Sequence, residues 1–143
     1  MKDIFDLLGR ILLSFIFLFE AYDYFAYESL NKKAMTIYGL TWNQDFFLYG
    51  AIFLLVMGSL TLLLGYRMRL GAVLILIYWV PLTFIVHDFW EEAAGSQAYR
   101  DQSLFFMKNL AIMGGLLIAA THTSGRYRLR RVFATTKVQD GLW

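Results

Sequence analysis

The sequence predicts an all-α fold, a four-helix transmembrane bundle whose antiparallel helices run up, down, up and down. Hydrophobic residues make up 59% of the 143 residues, whereas ordinary soluble domains contain about 45–50%. Three stretches, 46–66, 70–86 and 109–125, contain no Asp, Glu, Lys or Arg. A membrane-spanning helix needs about 20 mostly apolar residues, and a soluble helix would keep a polar face towards water. These observations favour a single membrane domain over residues 1–143.

The first of the four spans is the least apolar. It is strictly uncharged only over 11–19 and reaches a spanning length because Glu20 and Asp23 are included. The run continues into these acids and not into a small-residue cleavage pattern, so we expect a retained helix and no signal peptide. The predicted spans cover residues of about 4–27, 46–66, 69–88 and 104–122.

Two local patterns add detail to this plan. Between the first two spans, apolar residues recur at helical spacing at Leu30, Ala34 and Ile37. This spacing predicts a short interfacial helix within 28–45. Asp6 and Arg10 stand four residues apart in the first span, so we expect them to pair on one helix face.

The distribution of Lys and Arg predicts that both termini are cytoplasmic. Nine of the thirteen basic residues lie in the N-terminal segment, in the turn between spans two and three, and in the tail 123–143. The positive-inside rule places these segments in the cytoplasm. We interpret the basic run 126–131 as an anchor to anionic lipid, and no nucleic-acid partner is predicted.

Small residues recur on two of the spans, at Ala51, Gly58 and Gly65 and at Ala111, Gly115 and Ala119. Small residues let helices approach closely in lipid. The pattern is compatible with packing inside one bundle and with packing against another subunit.

Polar side chains collect at the non-cytoplasmic ends of the spans. With a rise of about 1.5 Å per residue, Glu20 lies about 21 Å beyond Asp6, in the outer third of a hydrocarbon core about 30 Å thick. The ends of the third span and the start of the fourth reach the same depth. The predicted polar layer contains Glu20, Asp23, His87, Asp88, Lys108 and Asn109, with Tyr24, Tyr49 and Gln44 near the same level. Ionisable groups at this depth are functional candidates by default.

The chemistry of this layer fits a quinone. Lys108 needs an anion, which Glu20, Asp23 or Asp88 would supply, and His87 can pass on a proton near neutral pH. A quinone head group needs donors at its carbonyls, an apolar slot and nearby proton partners. The candidate catalytic residues are His87, Lys108, Glu20 and Asp23. The candidate cofactor-binding residues are Asp88, Asn109, Tyr24 and Trp90.

A structural interpretation of the same residues stays open. The layer could be a salt-bridge cluster that sets the helix register, with Phe89 and Trp90 in the aromatic belt at the membrane interface. No metal site is predicted, because the two histidines, His87 and His122, lie at opposite surfaces.

Several motifs resemble the DoxX family of small membrane proteins. The resemblance rests on Gly9-Arg10-Ile11-Leu12-Leu13, on Gly58 with the run 63–69, on His87-Asp88-Phe89-Trp90, on Phe106-Met107-Lys108-Asn109-Leu110-Ala111, and on Gly114-Gly115. It covers about residues 5–122 and implies a four-helix membrane bundle in the bacterial inner membrane. Named members are associated with thiosulfate:quinone oxidoreduction and with membrane redox complexes. This chain departs from the family late in span one, where Glu20-Ala21-Tyr22-Asp23-Tyr24 stands in place of a Ser-Gly…Lys-Leu pattern. It also lacks a glutamate that many members carry in span two.

The leading expectation is therefore a small subunit of a membrane redox assembly, linked to quinone, with a polar site on the periplasmic side of the bundle. The alternative is a non-catalytic structural or assembly subunit at the edge of a larger membrane complex. Both interpretations imply the lipid bilayer and other membrane subunits as partners.

Overall fold

A computed structural model of the protein describes residues 2–121, and over this range the chain is all-helical without a strand. Five α-helices follow one another: α1 (Lys2–Ala26), α2 (Glu28–Ile37), α3 (Gln44–Leu63), α4 (Met68–Val86) and α5 (Gln97–Thr121). A short 3-10 helix, Phe89–Glu91, lies between α4 and α5. The predicted basic tail, 123–143, and His122 lie outside the described residues.

The four long helices surround one hydrophobic core. Helix α1 packs along α3, α3 along α4, and α4 along α5, whereas the contact between α1 and α5 is smaller. The largest fully buried apolar side chains are Phe17, Leu48, Leu55, Leu62, Ile75 and Leu116, which come from all four of these helices. Helix α2 lies against α1 and α3.

Three segments are long and apolar enough to cross a membrane, namely Gln44–Leu63, Met68–Glu91 and Gln97–Thr121. They contain α3, α4 and α5. Helix α1 is not among them, and it carries Asp6, Arg10, Glu20 and Asp23. The protein is thus a membrane protein with several apolar helices in its described part.

The small residues of α3 pack inside the chain. Gly58 lies against α4, where a Cβ atom would come within 2.5 Å of Ile75 Cγ1 and 3.0 Å of the Gly71 carbonyl oxygen. Gly71 in turn lies against the Gly58 carbonyl and the side chain of Thr61. The two backbones are therefore in direct contact here, as expected for small residues between membrane helices.

The other small residues have different surroundings. Gly65 belongs to the turn before α4 and has a φ of 63°, which glycine adopts without strain. On α5, Gly115 faces Leu13 of α1, whose Cδ2 would be 3.5 Å from an added Cβ. Ala111 is exposed and Ala119 is buried, so the α5 stripe is only partly inside the chain.

Arg10 joins α1 to the end of α3. As predicted, it pairs with Asp6, with Nε 3.2 Å from Oδ2. Its guanidinium also donates to the Leu63 carbonyl oxygen over 3.2 Å. This carbonyl belongs to the last turn of α3, where carbonyls lack helical partners and the helix dipole favours a cation. Arg10 is only 2% exposed, so the ion pair is an internal part of the fold.

The predicted short helix is present as α2, and an ion-pair cluster ties it to α3. Lys32 bonds to Glu28 over 2.5 Å and also to Asp45 at the start of α3. The Tyr49 hydroxyl donates to Glu28 over 3.2 Å. The hydrogen bond from Lys32 holds the pKa of Glu28 below its ordinary value of 4.5. A carboxyl group whose pKa is lowered by folding stabilises the fold at pH values above its ordinary pKa. The bond between Lys32 and Glu28 is therefore intact at neutral pH and is lost as the pH falls through the lowered pKa.

Candidate functional site

A hydrogen bond between two tyrosines crosses the core between α1 and α4. Glu20 and Tyr24 stand four residues apart and therefore lie on one face of α1, where the Tyr24 hydroxyl and the Glu20 carboxyl group are close enough to interact. The Tyr24 hydroxyl bonds to the hydroxyl of Tyr78 on α4. Either tyrosine hydroxyl can be the donor of the bond between them.

His87 lies at the C-terminal end of α4. Its half-buried imidazole is close enough to Glu20 to interact with it electrostatically. Nδ1 is 2.8 Å from Oε1 of Gln102, and the ring stacks on Phe105 with centroids 5.6 Å apart and planes 23° from parallel. Two α5 residues thus hold the ring in one orientation. Among the described residues no hydrogen bond or ion pair joins His87 to Glu20, so these two candidate catalytic residues interact only electrostatically.

Lys108 and Asn109 do not join this group, although they are adjacent to each other in sequence. Asn109 is buried, and its Nδ2 donates to Thr83 Oγ1 of α4 over 3.1 Å. Lys108 is exposed, and its ammonium lies 5.1 Å above the centre of the Phe105 ring. Successive helical residues point in different directions, so burying Asn109 turns Lys108 outwards. Among the described residues Lys108 forms no ion pair, so the predicted partner carboxylate is not found.

The remaining candidates belong to other contacts. Asp23 accepts a long hydrogen bond of 3.4 Å from Asn31, which connects α1 to α2. The Asp88 carbonyl oxygen accepts from the Glu91 amide over 2.9 Å in the turn after α4. Trp90 is exposed and packs on its neighbour Phe89. Gln44 and Tyr49 contact the region of α2. The residues of the predicted layer are thus spread over separate contacts and do not form one cluster.

An aromatic cluster closes the same end of α4 and α5. The rings of Phe84, Phe89, Trp90 and Phe106 meet one another at centroid distances of 5.3–6.4 Å. Such offset and edge-to-face pairs add to the burial of apolar area. This cluster holds the turn with the 3-10 helix against the start of α5, and so it supports the position of His87.

Trp79 contributes a further polar group near Tyr78. It is only 4% exposed, and its ring packs edge-on against Phe17 with ring centroids 5.0 Å apart. The indole Nε1 has no hydrogen-bond partner among the described residues. Buried tryptophan N–H groups usually have an acceptor, so this donor is available to a ligand or water.

Sequence reasoning missed Tyr78, Trp79 and Gln102. Tyr78 and Trp79 lie in the middle of an uncharged run, where depth alone gives no reason to select them. Gln102 precedes the predicted start of span four at 104. The sequence did contain one signal for Tyr78. Its hydroxyl lies in the interior of a span, where a buried aromatic hydroxyl needs a hydrogen-bond partner.

Comparison with known proteins identifies the family but no close relative. The DoxX family profile matches residues 5–88, which is 84 of the 143 residues and more than half of the chain. The match includes Glu20, Tyr24, Tyr78 and His87, while the segment 106–115 lies outside it. No curated protein and no solved structure matches the chain significantly. With its apolar helices and this match over more than half of its length, the chain belongs to the DoxX family of membrane proteins.

Proposed function

We propose that the protein is a small subunit of a quinone-linked redox assembly in the membrane. The observation that carries this proposal is the buried hydrogen bond between Tyr24 and Tyr78, with the carboxyl group of Glu20 and the imidazole of His87 near it. Two hydroxyl groups thus lie near two groups that exchange protons, in the interior of an apolar helical protein. A lipid-soluble ligand whose reduction is coupled to protonation requires this combination of groups.

The residues present fit a quinone head group. A quinone carbonyl is an uncharged acceptor. The Trp79 N–H has no partner among the described residues, and whichever of Tyr24 and Tyr78 accepts the bond between them keeps its own O–H free to donate. Leaving a buried donor such as the Trp79 N–H unpaired costs about 1–3 kcal/mol, so a carbonyl oxygen within its reach is favoured. A bound quinone supplies the two-electron redox chemistry, and we propose that its electrons pass to or from another subunit.

The side chains then have distinct roles. Glu20 takes up or returns a proton, and His87 passes it towards the adjacent surface near neutral pH. Tyr24 and Tyr78 orient the head group through their hydroxyls. For Lys108, Asp23 and Asp88 we propose a place at the rim of the site. Asn109 and Trp90 support the helices that carry it.

We also propose that α1 crosses the membrane as well. It would then be the first of four spans in an antiparallel transmembrane bundle in the bacterial inner membrane. Its outer face supports this, because Phe5, Leu12, Phe15 and Phe25 are 68–71% exposed, and a soluble protein rarely shows so extended an apolar surface. In this arrangement both termini are cytoplasmic and the His87 end of α4 is periplasmic.

The topology can be tested directly because the chain has no cysteine. In intact cells, a membrane-impermeant maleimide should label Ala94→Cys, at an exposed position in the loop before α5, without permeabilisation. It should label Arg69→Cys, at the opposite end of α4, only after the inner membrane is opened. Equal labelling of both cysteines in intact cells would contradict the proposed orientation.

The site is tested by separating binding from proton exchange. Loss of one neutral hydrogen bond is worth about 0.5–1.5 kcal/mol, so Tyr78→Phe should weaken binding of a short-chain quinone analogue by roughly 2–13-fold, since 1.4 kcal/mol is tenfold. Glu20→Gln should retain binding but slow quinol-coupled turnover by about 10²–10⁴-fold, the usual contribution of a general acid or base. Binding is measured in lipid nanodiscs and turnover in membranes that contain the partner subunits.

Tyr22→Phe is the matched control, because Tyr22 lies on α1 and is exposed. It should leave both measurements unchanged. If the wild-type protein binds no quinone analogue and co-purifies with membrane partners whose activity is unaffected by Glu20→Gln, the non-catalytic assembly subunit is the correct function.

A further inference from the structure

We infer that Gln102 is a positioning residue that holds His87 as the Nδ1–H tautomer and leaves Nε2 as the nitrogen that takes up a proton. The tautomer itself is independent of any function. Its use in passing a proton from Glu20 rests on the proposed function.

The inference begins with the donor inventory of the contact. Nδ1 of His87 is 2.8 Å from Oε1 of Gln102, a distance typical of a well-formed hydrogen bond. With the Gln102 amide assigned so that Oε1 faces the ring, this oxygen can only accept, and we infer that Nδ1 carries the hydrogen. In a neutral imidazole the other nitrogen, Nε2, then holds the lone pair.

The surrounding contacts keep the ring in this position. The His87 amide donates to the Thr83 carbonyl over 3.1 Å and so attaches the residue to the last turn of α4. Phe105 stacks on the imidazole from one face. Gln102 and Phe105 stand three residues apart and therefore lie on the same face of α5. One helix thus supplies both the hydrogen-bond acceptor and the stacking surface.

The charged groups around His87 act on the same proton. Glu20 faces it from α1 and interacts with it electrostatically. Asp88 follows it in the chain, and the Lys108 ammonium lies over the Phe105 ring against which His87 stacks. A proton taken up at Nε2 gives an imidazolium, whose charge is opposite to that of an ionised Glu20. Because the bond to Gln102 is made by Nδ1–H in both states, His87 can gain and lose this proton without moving.

Nitrogen NMR of the histidine ring tests the inference without any quinone. In a His122→Gln background His87 is the only histidine, and the ¹⁵N shifts of its two ring nitrogens report which one carries the hydrogen. In lipid nanodiscs, at a pH where the ring is neutral, the hydrogen should reside mainly on Nδ1. Gln102→Met removes the acceptor at similar volume and should reverse the populations in favour of Nε2–H, the form that free histidine prefers in water.

Two further variants separate positioning from a general structural effect. Gln102→Glu keeps an accepting oxygen and should preserve the Nδ1–H form. Gln97→Met is the matched control, because Gln97 is another α5 glutamine whose amide bonds to Asp101 and not to a histidine, and it should change neither shift. An Nε2–H form in the wild-type chain, or unchanged populations in Gln102→Met, would overturn the inference. Quinone binding is measured separately, so these outcomes do not depend on the proposed function.

Discussion

Replacing Arg10 with methionine should lower the free energy of unfolding by about 3 kcal/mol, the lower end of the usual effect of breaking a buried ion pair, because the Asp6 side chain is still 21% exposed. Arg10 is almost fully buried, pairs with Asp6 and donates to the Leu63 carbonyl. Its removal leaves the Asp6 carboxylate without its cation and the end of α3 without its donor. The loss is measured as unfolding of the purified protein in lipid or detergent by tryptophan fluorescence.

The partner residue provides the decisive comparison. If the loss comes from an uncompensated Asp6 carboxylate, Asp6→Asn combined with Arg10→Met should be less destabilised than Arg10→Met alone. Arg69→Met is the matched control, because Arg69 is exposed near the same end of the helices, and it should change stability by less than about 0.5 kcal/mol. A double variant that is less stable than Arg10→Met would show that the carboxylate is not the cause.

Gly71→Ala should destabilise the protein through the contact between α3 and α4. The added Cβ would lie 2.8 Å from the carbonyl oxygen of Gly58 and would also collide with the side chain of Thr61. The threonine can rotate, but the Gly58 oxygen belongs to the α3 backbone, so the helices must separate. Overpacking of this kind usually costs about 1–3 kcal/mol. The same unfolding assay measures it, with thermal stability in nanodiscs as a second readout.

Gly50→Ala provides a control with the opposite expected sign. Gly50 lies inside α3, and nothing lies within 4 Å of an added Cβ there. Alanine is favoured over glycine in a helix interior by about 0.5–1 kcal/mol, so this variant should be as stable as the wild type or more stable. Equal losses in Gly50→Ala and Gly71→Ala would mean that the close approach of α3 and α4 is not responsible.

Local sequence was sufficient for the helices and for contacts within one helix. The uncharged runs predicted apolar helices of spanning length because length and hydropathy are properties of the segment itself. The pair of Asp6 and Arg10 followed from four-residue spacing, and the short helix α2 followed from its apolar repeat. The small size of Gly58 was compatible with packing inside the bundle and with packing against another subunit, and the contact with α4 is the first of these.

The composition of the candidate site depended on the tertiary structure. Distance along a helix predicted the common depth of Glu20, His87 and Lys108, but depth does not determine which way a side chain points. Around a membrane helix both lipid and neighbouring helices are apolar, so the sequence marks the inner face only weakly.

Packing of the helices decided the rotation of each one about its own axis. That rotation brought Tyr78 to Tyr24 and Gln102 to His87, and it turned Lys108 away from the carboxylates. The sequence by itself therefore determined the helices, their approximate depth and the family resemblance. Only the tertiary structure decided which polar groups meet, because that choice depends on side-chain packing between helices that are distant in sequence.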